Sequence, residues 1–109
     1  MPNYEIKFFR GDYHETKFKF KTYTGPVDKI YFTVRDEERI VRMTKQSDNG
    51  IKKEGEYYVI VFEPEDTNNL PFGLVMVYDI EIMVNGKPFT IAKDKFTIDE
   101  DVTRPTEEV

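Results

Sequence analysis

The chain reads as all-β, an immunoglobulin-like two-sheet antiparallel β-sandwich of about seven strands, and three observations carry that expectation. Apolar and polar residues alternate at period two in runs such as Tyr4-Glu5-Ile6-Lys7-Phe8 and Lys17-Phe18-Lys19-Phe20. That pattern puts one face of a strand in a core and the other in water. Turn residues punctuate these runs roughly every 8–12 residues, the spacing of a sandwich of short strands. No segment of useful length carries the helical period. A small closed barrel is the alternative architecture. The chain has no cysteine and no tryptophan, so the marks of antibody domains are missing and the resemblance to immunoglobulins is one of architecture alone.

The elements follow in order. Residues 4–8 form the first strand. Arg10-Gly11-Asp12 is a turn, because Gly and Asp accept turn geometry; its match to an integrin-type tripeptide is the sort of coincidence short motifs produce. Residues 15–22 form the second strand, with Phe18 and Phe20 facing the core. Thr24-Gly25-Pro26 is a turn. Residues 28–35 form the third strand, with Ile30, Phe32 and Val34 on one face. After the polar turn Asp36-Glu37-Glu38, residues 39–44 form a short fourth strand in which Ile40 or Val41 alternates with arginines. Ser47-Asp48-Asn49-Gly50 reads as a hairpin turn.

Glu56-Tyr57-Tyr58-Val59-Ile60-Val61-Phe62-Glu63 is almost wholly apolar, as in a central strand covered on both faces. Pro64 suits the first position of one helical turn. Residues 73–84 form the longest strand, with Leu74, Met76, Tyr78, Ile80, Ile82 and Val84 on one face. Asn85-Gly86 is the strongest hairpin signal in the chain. In the return strand, residues 88–98, the apolar phase changes between Phe89/Ile91 and Phe96/Ile98. A bulge near Lys93-Asp94 would reconcile the two. Residues 1–98 form the sandwich domain, and residues 99–109 form an acidic flexible C-terminal tail.

Composition narrows the chemistry. The 109 residues include nine Phe and seven Tyr. Each fully buried Phe stabilises a fold by roughly 1.5–3 kcal/mol, so half a dozen rings make a sufficient core. Of the net charge of −5, the last eleven residues carry −4 and the body only −1. A nucleic-acid footprint would show as clustered excess Lys and Arg, and none is present. No apolar run approaches a membrane span, and the first residues lack a signal-peptide pattern. The absence of cysteine fits a reducing cytoplasm and removes thiol nucleophiles and cysteine-type zinc sites.

The candidate catalytic groups are sparse. His14 is the only histidine and Ser47 the only serine. His14 lies beside a turn and reads as a solvated side chain rather than a base. Asp48-Asn49-Gly50 opens like a calcium loop, but Ile51-Lys52-Lys53 follows where further acids are needed. Asp36-Glu37-Glu38 and Glu63, Glu65 and Asp66 lie in turns, where solvated carboxylates are the rule. No phosphate-binding glycine loop occurs. The expectation is a non-enzymatic protein with no cofactor and no metal. Exposed rings at Tyr31, Tyr57 and Tyr23 are the candidate interaction surface, with Tyr13 a further exposed ring.

An ordered series of signals spans residues 4–103. Arg10-Gly11-Asp12 precedes Lys17-Phe18-Lys19-Phe20, then residues 25–34 (GPVDKIYFTV), residues 58–67 (YVIVFEPEDT), Leu70-Pro71-Phe72-Gly73, Tyr78-Asp79-Ile80-Glu81-Ile82 and Lys95-Phe96-Thr97-Ile98. The series resembles the immunoglobulin-like N-terminal domain of phage baseplate upper proteins and related small prophage structural proteins of Gram-positive bacteria. Two departures stand out: the further domains of full baseplate upper proteins do not follow, and the strand after Gly73 is one residue longer than usual. The resemblance implies a virion structural protein of baseplate or tail type, made in the bacterial cytoplasm. It would dock on other tail or baseplate subunits and could form a homo-oligomer. The alternative is a carbohydrate-binding or host-surface adhesion module, which would need coplanar aromatic rings on one exposed face.

Overall fold

The computed structural model describes residues 5–20, 27–70 and 75–99. They form eight strands and one helical turn: β1 (Ile6–Phe9), β2 (His14–Phe18), β3 (Lys29–Asp36), β4 (Val41–Ser47), β5 (Gly50–Glu54), β6 (Tyr57–Phe62), α1 (Pro64–Thr67), β7 (Met76–Val84) and β8 (Lys87–Asp99). The fold is all-β. One hydrogen-bonded order, β1-β8-β7-β3-β4-β5-β6-β2, curls until its two ends nearly meet as a barrel.

Alternation builds the interior. Along β3, Ile30, Phe32 and Val34 are buried, and along β7 so are Met76, Tyr78, Ile80 and Ile82. Direct pairing of Ile30 with Ile82, Phe32 with Ile80 and Val34 with Tyr78 keeps these residues on one side. Phe62 from β6 and Phe96 from β8 enter the same core, their ring centroids 5.8 Å apart. Phe32 meets Phe62 edge-on at 5.6 Å, a favoured aromatic geometry.

Several expectations hold. Pro64 opens α1, and Asn85-Gly86 joins β7 to β8 with both φ angles positive, 53° and 76°. That combination belongs to a type I′ hairpin. Thr24-Gly25-Pro26, Leu74 and residues 100–109 lie outside the described residues.

Others need correction. Strands number eight rather than about seven, because residues 50–54 form a strand of their own. Ser47-Asp48-Asn49-Gly50 does not make a hairpin: β4 and β5 pair parallel, through Gln46 with Gly50 and Ser47 with Ile51. Positive φ falls at Asp48 and Gly50 rather than Asn49. Gly50 is required there on two counts. Its φ is 98°, and a Cβ would come within 2.4 Å of the Lys45 side chain. Lys45 points inward, opposite Phe32, and its ammonium reaches Asp66 of α1 at 2.6 Å. The inward residues of β4 are thus Met43 and Lys45, while Ile40 and Val41 are exposed. A bulge opposite Val34/Arg35 shifts the register, leaving Arg42 without a cross-strand partner.

The bulge in β8 also sits elsewhere. Ile80 pairs with Ala92 and Glu81 with Thr90, so Ile91 is the extra residue, not Lys93-Asp94. It settles the phase change, yet Phe89 and Ile91 remain exposed, because among the described residues β1 pairs with β8 only at residues 96–99. The longest strand is β8, with 13 residues.

The two populations of phenylalanine separate by stability. Phe62→Ala should lower unfolding free energy by about 3–5 kcal/mol in urea titrations. Phe89→Ala should change it by no more than about 0.5 kcal/mol.

Candidate functional site

His14 begins β2 opposite Phe62. It is half-buried rather than solvated, because its ring stacks on Phe8 at 4.5 Å with 11° between the planes. Desolvation holds its pKa below 6.5, and Glu15 pulls only weakly the other way. Ser47 is equally committed: its hydroxyl accepts the Ile30 N–H at 2.8 Å. The two side chains serve the seam and the β3–β4 ladder respectively, and neither contacts the other.

The carboxylates at turns also have partners. Asp36 is buried, and its Oδ1 accepts the N–H groups of Glu38 and Ile40 at 2.9 and 3.0 Å. Its Oδ2 takes two Arg42 nitrogens, each at 2.8 Å. Burial pushes this carboxyl upward, but the Ile40 N–H, the Arg42 guanidinium and the Glu38 N–H outweigh it and hold the pKa below the usual value. The cluster locks the β3–β4 turn, in which Arg39 adopts φ 67°. Asp66 is used twice, by Lys45 and by the Glu63 N–H at 2.7 Å. No group of three or more His, Cys, Asp or Glu among the described residues is arranged to hold a metal ion.

The candidate rings are scattered. Tyr31 is half-buried on the outward side of β3, in register with Gln46 and Glu81. Tyr57 is 43% exposed at the start of β6, with the Lys19 ammonium 5.5 Å from its ring centre. Strands β4 and β5 lie between theirs, so the fold does not bring Tyr31 and Tyr57 together. Tyr23 lies outside the described residues. Tyr13 is 54% exposed and donates to Glu15 at 2.5 Å. This bond favours the neutral phenol and, with desolvation and nearby carboxylates, pushes its pKa up to about 12. Tyr13 precedes the His14–Phe62 pair, whereas Tyr57 lies beyond the Phe18–Tyr58 pair, so the two rings flank opposite ends of the β2–β6 ladder.

Two surface features were not singled out from the sequence. One is an apolar stripe on the outer side of β6, Tyr57, Val59 and Val61. Val59 is 0% exposed although it stands apart from the core cluster. Its direct neighbours are Lys17 and Lys52, whose aliphatic stems can lie over it while the charges reach water. The uninterrupted apolar run of residues 57–62 carried this signal, since a strand with one wet face would alternate.

The other is a cleft of about 430 Å³ lined by Arg35, Asp36, Arg39, Val77, Asp79 and Lys93. Cross-strand rows build it. Arg35, Val77 and Lys95 occupy one row, extended onto β4 by Val41; Thr33, Asp79 and Lys93 occupy the next. Arg35 lies 3.5 Å from Asp79.

A scan against protein-family models returns no match, and neither does a search of curated proteins.

The stacked histidine makes a pH prediction. The folded chain holds His14 neutral below the pH at which the unfolded chain protonates it, so the unfolded state binds more protons. The stabilising contribution is complete above about pH 6.5 and is lost as pH falls through the lower folded value. Parent stability should therefore drop relative to His14→Phe between about pH 6.5 and pH 5, with little change in that difference above pH 7; urea unfolding at each pH measures it.

Proposed function

We propose that the chain is a non-enzymatic structural protein of a phage or prophage particle, of baseplate or tail type, acting by docking on other subunits. The supporting observation is the apolar stripe on the outer side of β6. A solvated sheet face is ordinarily polar at alternate positions, yet Tyr57, Val59 and Val61 are apolar at all three. Exposed Tyr57 at one end supplies an aromatic anchor, and Lys17, Lys19, Lys52, Glu15 and Glu54 rim the stripe with charge. An exposed aromatic ring in a charged surround is the kind of anchor protein interfaces use.

The finer architecture belongs to the same proposal. The β4–β5 ladder is reduced to two residue pairs, and β1 and β2 share no ladder. These two weak lines divide the strands into a run of five, β1-β8-β7-β3-β4, and a run of three, β5-β6-β2. Facing each other, the runs make a two-sheet sandwich of immunoglobulin type. The order of sequence motifs across residues 4–103 supplies the particle context.

Mass spectrometry of purified particles from a strain carrying the gene should find the chain at fixed stoichiometry with tail proteins. Tyr57→Ser should leave the melting temperature unchanged and reduce incorporation about tenfold or more, the loss associated with an aromatic anchor. A chain absent from particles, or a variant incorporated as well as the parent, would count against the reading.

A further inference from the structure

We propose that His14 is an acid-sensitive latch: uptake of a proton by its ring breaks the stack on Phe8 and releases the β1–β2 turn, residues 9–13, from the fold. The inference does not rest on the docking role. It is tested on the isolated protein, so either can fail without the other.

The latch closes a seam at which β1 and β2 share no ladder. Rings make the contact instead. His14 lies flat on Phe8, 4.5 Å away and 11° from parallel, with Phe62 at 6.0 Å. Neither ring nitrogen of His14 has a hydrogen-bond or ion-pair partner among the described residues. A neutral imidazole suits such a stack. An imidazolium there holds a charge among phenylalanine rings with no acceptor for its second N–H. Turning out into water satisfies both N–H groups at the expense of the stack.

The surrounding charges do not compensate. Tyr13 and Glu15 flank His14 on β2, and Glu63 follows its partner Phe62. Lys7 of β1 is matched by Asp99 of β8 at 3.8 Å, and Arg10 and Asp12 lie in the turn. Glu15 is the group that draws a proton towards His14, and desolvation outweighs it. Its carboxylate already accepts the Tyr13 hydroxyl.

Release is local because the turn sits at strand ends. Phe9 is the last residue of β1 and His14 the first of β2. The Arg10 N–H donates to the Asp99 carbonyl at 2.9 Å and the Gly11 N–H to the Thr67 hydroxyl at 2.7 Å, which fastens the turn down. Lifting it unpairs only the outermost rungs, Phe9 with Asp99 and His14 with Phe62. Ladder ends open far more readily than core strands. The open form uncovers the face of Phe8 beside Phe9 and Tyr13, which are already 50% and 54% exposed. Acid therefore adds aromatic surface at this end of the fold. The released ring protonates near the ordinary histidine value of about 6.5, the stacked ring only at lower pH. The open population thus rises as pH falls through the first value and levels off below the second.

Amide exchange followed by NMR gives an opening constant for each residue once the intrinsic rate is divided out. Arg10 and Gly11 should open more readily than Phe32 and Ile80, which pair on central strands. From about pH 7.5 to pH 5 the Arg10 and Gly11 constants should rise about threefold or more. Overhauser contacts between the His14 and Phe8 rings should fade over the same range. His14→Phe should keep the turn closed and remove the pH dependence. Thr67→Val removes the fastener and not the sensor, so it should raise opening at every pH and leave the pH dependence in place. Opening constants at Arg10 and Gly11 equal to those at Phe32 and Ile80 would overturn the proposal. So would a rise that persists in His14→Phe, or a stack that stays intact once the ring is charged.

Discussion

Eight strands in one curled sheet can bury a common face only if the two ends of the sheet are held together, and here rings do what a hydrogen-bond ladder does not. β1 and β2 are joined by a short turn but share no ladder. Phe8 of β1 stacks on His14 of β2, leans on Phe62 at 5.1 Å and meets Phe96 edge-on at 5.8 Å. One ring therefore links the two ends of the strand order, β1-β8 on one side and β6-β2 on the other. The turn between the two strands is fastened separately, by the Gly11 N–H donating to the buried Thr67 hydroxyl at 2.7 Å. A buried N–H without such a partner would cost roughly 1–3 kcal/mol.

The opposite side depends on a different device. At the β4–β5 corner only two residue pairs maintain the sheet, and Lys45 crosses the interior to Asp66. Isolated buried charge is expensive, and this pair is tolerated because Asp66 also accepts a backbone N–H and Lys45 keeps a tenth of its side chain accessible. Gly50 leaves room for the lysine stem. The lysine thus ties β4, next to the β4–β5 corner, to the helical turn α1.

The exposed apolar residues follow from the same construction. β8 outruns its partner β1, so among the described residues Phe89 and Ile91 lie along a stretch paired on one side only. Pro88, the bulge at Ile91 and the lysines at 87, 93 and 95 are the usual means of discouraging uncontrolled pairing at such an edge. Ile40, Val41 and Val75 are exposed where the β3–β4 turn and the start of β7 pass beyond the core. The stripe on β6 differs, because Val59 is covered by its own neighbours while Tyr57 stays open.

The sequence by itself determined the strand content, the inward residues of β3 and β7, the Asn85-Gly86 hairpin and the helical turn at Pro64. Each depends on period-two alternation or on the dihedral preferences of one or two residues, which are local properties. Tertiary structure decided the rest. Whether Ile40 or Met43 faces inward depends on a bulge, and the parallel β4–β5 corner depends on where the next strand finds a partner. His14 is half-buried because Phe8, six residues earlier, crosses the seam to meet it. Tyr31 and Tyr57 share one expected interaction surface in the sequence, but strand order places two strands between theirs. The cleft gathers residues 35, 36, 39, 77, 79 and 93 from three strands and a turn. A line of residues carries no record of such gatherings, because cross-strand register is set by the mutual fit of distant segments and not by the segments themselves.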